Sequence, residues 1–311
     1  MKDSQHDITI STDELIKLRF GNSDVRLMSN KKILSSVTGS YGSRFRGRGL
    51  EFQEVRAYQP GDDIRNMDWR VTARTGTPHP KILEEAREEP VFLVVDNSAS
   101  MHFGSRVTFK SVVAAKAAAI LAWSAAANHD RVGGIVYSDS SFNELRPQGG
   151  SRGVLRLLKQ ISQTQCNSVA TSGSQTSRLT DTFLHLRRVA RPGSQLIILS
   201  DFFTLDDEAI RQTALLSQHN ELVWIFIYDP LEAIPPLPGS YSISDGNEIS
   251  TLNTRDERFN REYRARFRNK LDTITSTCRQ YGIHFLSIMT NDDVASALRQ
   301  GLSRLPRRKL T

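Results

Sequence analysis

The sequence predicts an α/β fold: a doubly wound, mainly parallel sheet with a small N-terminal module. Two observations predict it. From about Val91 onward, short apolar runs rich in β-branched residues alternate with stretches of helical periodicity, the rhythm of parallel βαβ units with right-handed crossovers. The first 90 residues stand outside that rhythm and are basic and Gly-rich in their middle.

The strand and helix expectations follow in order. Val91-Phe92-Leu93-Val94-Val95 is continuously apolar and ends at Asp96, as a strand buried on both faces does. Val107 to Asn128 is Ala-rich and long enough for a helix that lies close on a sheet. Val132 to Tyr137 is a second strand, with Phe142 to Pro147 as its hairpin partner and Gly149-Gly150 as the stop. Arg152 to Ile161 places Val154, Leu157, Leu158 and Ile161 on one helical face. A Ser/Thr/Gly-rich loop, Thr164 to Thr176, precedes the helix Leu179 to Val189. Strand Leu196 to Leu199 then runs into Ser200-Asp201. Helix Asp206–Ser217, strand Leu222–Tyr228, helix Arg258–Arg279, strand Ile283–Ile288 and helix Asp292–Leu302 complete the series. The domain plan is a polar tail or helix over 1–30, a module over 31–89, the α/β domain over 90–305 with an insertion at 230–250, and a basic tail over 306–311.

In the module, Pro60-Gly61 makes a turn and the pair Asp62, Asp63 can cap a helix. That helix carries Ile64, Met67 and Val71 on one face, places Trp69 as a core anchor between the two modules and stops at Gly76.

Composition narrows the function. Apolar residues at 38% and charged residues at 24% of 311 exclude wholesale disorder and fibrous repeats. The charge, 41 − 34 = +7, permits an acidic partner but is small for a dedicated nucleic-acid binder. Two cysteines, Cys166 and Cys278, make neither a disulfide framework nor a zinc cluster and suit a reducing compartment. The most apolar stretch, Val112 to Ala127, is interrupted by Lys116 and falls short of a membrane span, and the N-terminus lacks a signal-peptide centre. A cytoplasmic protein is expected.

Candidate chemistry gathers where strands end. Ligands of doubly wound sheets bind beyond the carboxyl ends of the strands, and two strands here end in Asp96 and Asp201. Ser98 and Ser100, two residues apart after Asp96, can converge in a tight loop. These hard oxygen donors suit Mg²⁺, Mn²⁺ or Ca²⁺ rather than zinc. A cation held by so few carboxylates keeps positive charge and attracts an anion. As a structural alternative, the same residues are an ordinary strand-end turn.

Asp96-x-Ser98-x-Ser100 resembles the metal-ion-dependent adhesion site (MIDAS) of von Willebrand factor A domains. The resemblance implies a von Willebrand factor A-like fold, Asp201 as the later Asp ligand, and Ser177, with Thr176 as the alternative, at the family's Thr position; a partner's carboxylate completes the shell. Upstream, Gly47-Arg48-Gly49-Leu50-Glu51-Phe52, Arg56-x-Tyr58-x-Pro60-Gly61-Asp62-Asp63-Ile64-Arg65 and Asp68-Trp69-Arg70-x-x-Ala73-Arg74 resemble domain-of-unknown-function family 58. That resemblance covers about Ser40 to Asp201. Members are similar to factors found beside MoxR-type AAA+ ATPases. It implies a metal-dependent, chaperone-like assembly factor working with such an ATPase on a client protein, with any membrane association peripheral and through partners.

The expected function is therefore non-enzymatic protein interaction. Arg44, Arg46, Arg48, Asp62, Asp63, Arg65 and Trp69 are candidate partner contacts, though an Arg loop and a helix with paired charges explain them as well. The helix Arg258 to Lys270, with Arg261, Arg264, Arg266 and Arg268, is a solvated face first and an acidic docking surface second. Two other classes stay open. A Mg²⁺-dependent phosphatase-like hydrolase would need a proton donor where Ser98 stands. A nucleic-acid binder would retain polyanions weakly and with strong salt dependence.

Overall fold

Ser11 opens the first ordered helix, α1 (Thr12–Lys17), by a capping box: its hydroxyl takes the Glu14 N–H, and the Glu14 carboxylate takes the Ser11 N–H at 2.9 Å. The computed structural model describes residues 8–20, 50–55, 58–59, 67–79, 81–85, 90–168, 178–244 and 249–303. The chain divides into two compact units, residues 30–88 and, together, residues 1–29 with 89–311.

In the smaller unit, β1 (Leu50–Val55), α2 (Trp69–Thr75) and β2 (Lys81–Glu85) follow in order, and β1 pairs antiparallel with β2 across a bulge. The helix starts later than its sequence suggests. Asp68, whose carboxylate accepts from the N–H groups of Arg70 and Val71, is the cap, and Met67 lies before the helix. Its end is as expected: Gly76 takes the left-handed conformation, φ 75°, that closes a helix. Trp69 is 66% exposed. The expected cap Asp62, Asp63 and the candidate contacts Arg44, Arg46, Arg48 and Arg65 lie outside the described residues.

The larger unit runs β3 (Pro90–Asp96), α3 (Lys110–Ala127), β4 (Arg131–Tyr137), β5 (Phe142–Gly149), α4 (Gly150–Ser168), α5 (Arg178–Val189), β6 (Gln195–Ser200) and α6 (Asp207–Ser217). Then come β7 (Glu221–Tyr228), α7 (Pro230–Ala233), β8 (Ser240–Ser244), β9 (Ile249–Asn253), α8 (Glu257–Tyr281), β10 (His284–Met289) and α9 (Val294–Ser303). Six strands form one mixed, mostly parallel sheet in the order β10-β7-β6-β3-β4-β5, with β4-β5 the antiparallel pair. The chain winds outward from β3 through β4 to β5, then returns to the other side of β3 as β6. The winding reverses between β3 and β6, whose carboxyl ends are neighbours.

Strand alternation explains the two cores. Val91, Leu93 and Val95 point to one face and pack with α1, α3, α4 and α9. Phe92 and Val94 point to the other and pack with α5, α6 and α8. The Ala-rich α3 is the closest of the covering helices in composition to a membrane span, the only one long and apolar enough among the described residues, and it is mostly buried in the fold. The 230–250 insertion resolves into α7 and the β8-β9 hairpin, which extends to Asn253.

The N-terminal segment, expected as a polar tail or helix, belongs to the larger unit. Leu15 is fully buried, its carbonyl accepts from Trp123 Nε1 at 3.4 Å, and the Ile10 carbonyl accepts from Ser162 Oγ at 3.1 Å. Leu15→Ala should therefore destabilise the larger unit by about 2–5 kcal/mol, whereas the exposed Trp69→Ala should leave its stability within about 0.5 kcal/mol. Urea unfolding followed by tryptophan fluorescence and circular dichroism checks both.

Candidate functional site

Three adjacent parallel strands deliver an aspartate each to one edge of the sheet: Asp96 closes β3, Asp201 follows β6 and Asp229 follows β7. All three are buried. The sequence reading found the first two and passed over Asp229, because Pro230 next to it reads as the start of an insertion.

Asp96 is engaged at both oxygens. Oδ1 accepts the Ser98 N–H at 2.9 Å, an Asx-type turn. Oδ2 accepts the Ser200 hydroxyl at 2.5 Å, tying the ends of β3 and β6 together. Within the turn, the Ser98 and Ser100 hydroxyls converge to 3.2 Å. The turn is fixed on its outer side by Asp139, whose carboxylate accepts the Ala99 N–H at 2.6 Å. His102 Nδ1–H donates to the Ser98 carbonyl at 3.0 Å, and burial pushes this imidazole's pKa down.

The loop then folds back onto α3. Lys110 N–H donates to the Phe103 carbonyl at 2.9 Å. A Cβ on Gly104 would meet the Thr108 carbonyl oxygen at 2.1 Å, so only glycine fits that approach. Asp229 pins the same loop: its carboxylate accepts from Ser105 N–H at 2.8 Å, Ser105 Oγ at 2.5 Å and Thr290 Oγ1 at 2.6 Å. These bonds hold its carboxyl below the usual carboxylate range against the opposing pull of burial.

Asp201 is placed differently. The chain turns sharply after it through Phe202, which adopts φ 50° and is held there by its ring stacked on Trp224 at 4.5 Å. Asp201 Oδ1 accepts the Phe203 N–H at 3.0 Å. Oδ2 accepts from the ammonium of Lys110 at 2.6 Å. Lys110 is 1% exposed and also donates to Glu232 on α7 at 2.8 Å. Burial alone would lower the Lys110 pKa; the two carboxylates outweigh it and hold it above the ordinary value. Burial likewise opposes ionisation of Asp201, and Lys110 and Lys270 together outweigh it and hold this carboxyl low. Asp201 is thus an ionised partner in a buried pair, where loss of one member typically costs about 3–5 kcal/mol.

Among the described residues Asp96 has no such ion-pair partner. Burial, then the neighbouring Asp201 carboxylate, raise its pKa to about 6. The edge thus holds two unequal carboxylates: one neutralised from inside the protein and one short of positive charge.

Of the sequence-stated ligand set, Asp96, Ser98, Ser100 and Asp201 reach this one edge, while Ser177 and Thr176 lie outside the described residues. Asp96, Ser98 and Ser100 suit a hard divalent cation: two convergent hydroxyls beside a carboxylate short of positive charge. No group of three His, Cys, Asp or Glu able to hold a metal exists among the described residues. Lys110, Ser200 and Glu232 were missed. The available signal was Lys110 itself, a cation in the first turn of an apolar helix, where the macrodipole disfavours positive charge.

A family model described as "Protein of unknown function DUF58" matches residues 54–273, which span the module's helix, the sheet edge and the first part of α8. The chain belongs to this DUF58 family. Among its relatives, the uncharacterized protein Mb1516 of Mycobacterium bovis and the uncharacterized protein Rv1480 of Mycobacterium tuberculosis are each 28% identical over 271 residues, 86% of this chain and 84% of theirs. Among solved structures, the conserved hypothetical protein BatB from Bacteroides thetaiotaomicron aligns with TM-score 0.41 and 14% identity over 70% of this chain and 98% of its own.

The unequal carboxylates give a pH prediction. Folded Asp96 keeps its proton up to about pH 6, whereas the unfolded side chain releases it near 3.8. Between these values the folded state binds the extra proton, so stability falls as pH rises through the window and stays lower above it. Asp96→Asn removes that loss. It should stabilise the metal-free DUF58 chain by up to about 3 kcal/mol above pH 6 and by little below pH 4. Thermal melts in EDTA across that range check it.

Proposed function

We propose that the chain is a cytoplasmic, non-catalytic interaction and assembly factor. On this reading its larger unit is a doubly wound, von Willebrand factor A-like domain. It binds a divalent cation, Mg²⁺ or in its place Mn²⁺ or Ca²⁺, at Asp96, Ser98 and Ser100, engages a partner's carboxylate there, and works with a MoxR-type AAA+ ATPase on a client protein. The observation that carries this reading is the convergence of the Ser98 and Ser100 hydroxyls to 3.2 Å beside Asp96, at the sheet edge where the winding reverses.

A bound cation would supply a positive point charge open to an outside anion. The chain's own residues do the rest. Ser200 and the Ser98 N–H orient the Asp96 carboxylate. Asp139 and Asp229 hold the loop that carries the hydroxyls. Large apolar side chains stand exposed on the loops of the same edge: Phe103 and Val107 after β3, Phe203 after β6, Ile234 and Leu237 after β7. Exposed apolar residues clustered around polar ligands favour a protein partner over a small polar substrate.

A hydrolase of the aspartate-nucleophile type is the weaker reading. Ser98 stands two residues after Asp96, where such chemistry needs an acid of suitable pKa, and Asp201 is held by Lys110. Nucleic-acid binding has support only from the modest surplus of +7. The ATPase partnership rests on the family's association alone.

Affinity capture from cell extract tests the reading. Tagged wild-type chain in Mg²⁺ should retain a partner set that includes an AAA+ ATPase, and both EDTA and Asp96→Ala should remove it. Undiminished capture by Asp96→Ala, with circular dichroism unchanged, contradicts the proposal, as does turnover of a generic phosphate ester.

A further inference from the structure

The family's metal pattern asks for two carboxylates from adjacent strand ends, Asp96 and Asp201. Asp201 does not fit that role here. One of its oxygens accepts the Lys110 ammonium at 2.6 Å and the other the Phe203 N–H at 3.0 Å. The ammonium is 1% exposed and shared with Glu232 at 2.8 Å. Nothing about this arrangement is a loose surface pair: the helix that carries Lys110, the β6 end that carries Asp201 and the short helix that carries Glu232 are all anchored by backbone bonds. Glu232 is doubly committed, since its other oxygen takes the Asp229 N–H at 2.8 Å in a capping box. Lys270 of α8 approaches from the opposite face, its Nζ 5.6 Å from the Phe203 ring and 5.5 Å from the Phe226 ring.

We propose that Lys110 is a tethered cation that permanently takes the second carboxylate of this site, so that the metal site is a one-carboxylate site of Asp96, Ser98 and Ser100 from which Asp201 is excluded. The proposal rests on the metal reading above for those three ligands. Its physical content is a competition for one anion. A covalently anchored ammonium with one buried and one half-buried carboxylate partner is always present, whereas a divalent ion must shed tightly held water to displace it. A dication held by a single carboxylate keeps a full positive charge. Such a site binds metal weakly by itself and strongly once an outside anion, such as a partner's carboxylate, joins it.

Removing the ammonium should reverse this. Lys110→Ala leaves Asp96 and Asp201 with only the Lys270 charge of α8 to offset them, in a space vacated by a long side chain. That is a two-carboxylate site for a hard cation.

The test uses Mn²⁺ alone as probe, on the full chain, with calorimetric affinity and melting temperature as the readouts. In EDTA, Lys110→Ala should melt below wild type, and Mn²⁺ should restore its melting temperature while leaving that of the wild type nearly unchanged. Its Mn²⁺ affinity should exceed that of the wild type by at least about tenfold. Adding Asp201→Asn to Lys110→Ala should abolish both gains, while Asp201→Asn alone should leave wild-type affinity within about twofold. The proposal is overturned if Asp201→Asn alone weakens Mn²⁺ binding about tenfold, or if Mn²⁺ fails to rescue Lys110→Ala, including the case where that variant does not fold even with Mn²⁺ present. A wild type that binds no Mn²⁺ refutes the metal reading, and rescue of Lys110→Ala by Mn²⁺ would still support the role given to Lys110.

Discussion

The carboxyl edge of this sheet depends on one buried ion pair, that between Lys110 and Asp201. Parallel strands put their last side chains side by side, and here three neighbouring strands end in aspartate. Without compensation, the Asp96 and Asp201 charges would repel each other in a region of low dielectric. The ammonium at the start of α3 neutralises one of them and also draws in Glu232 from α7. It thereby closes the segment after β7 against the loop after β3. The third aspartate needs no cation, because four hydrogen-bond donors surround it.

A division of labour among the three carboxylates results. Asp229 fastens loops, Asp201 balances an internal charge, and Asp96 alone is left high in pKa beside two hydroxyls. A group held against its preferred ionisation costs the folded state stability. The fixed turn at Phe202 and the glycine at 104 serve the same geometry, since each holds a strand-end loop where an ordinary backbone would not go.

The sheet and its aspartate-ended strands were legible in the sequence because their signals are local. A continuous β-branched run followed by Asp96, and a second followed by Asp201, state both the strand and its end within a few residues. The β4-β5 hairpin was legible for the same reason. What failed was non-local or locally ambiguous. Lys110 finds its partners 91 and 122 residues away, and nothing near it in the chain names them. For the helix of the smaller unit the sequence pointed to Asp62-Asp63 as the cap, and the hydrogen bonds of Asp68 place its start later. The β1-β2 pairing was missed because its strands are short and charged, so alternation is weak. Leu15 reads as one apolar residue in a polar stretch, and only the groove between α3 and α4 reveals why it is there.

The most direct measurement is a crystal structure of the full chain grown or soaked with Mn²⁺ and collected for anomalous scattering. The account predicts an anomalous peak ligated by Asp96, Ser98 and Ser100, with the Lys110 ammonium still bonded to Asp201 and Glu232. A manganese ion bound by Asp201, with Lys110 displaced from it, would contradict it.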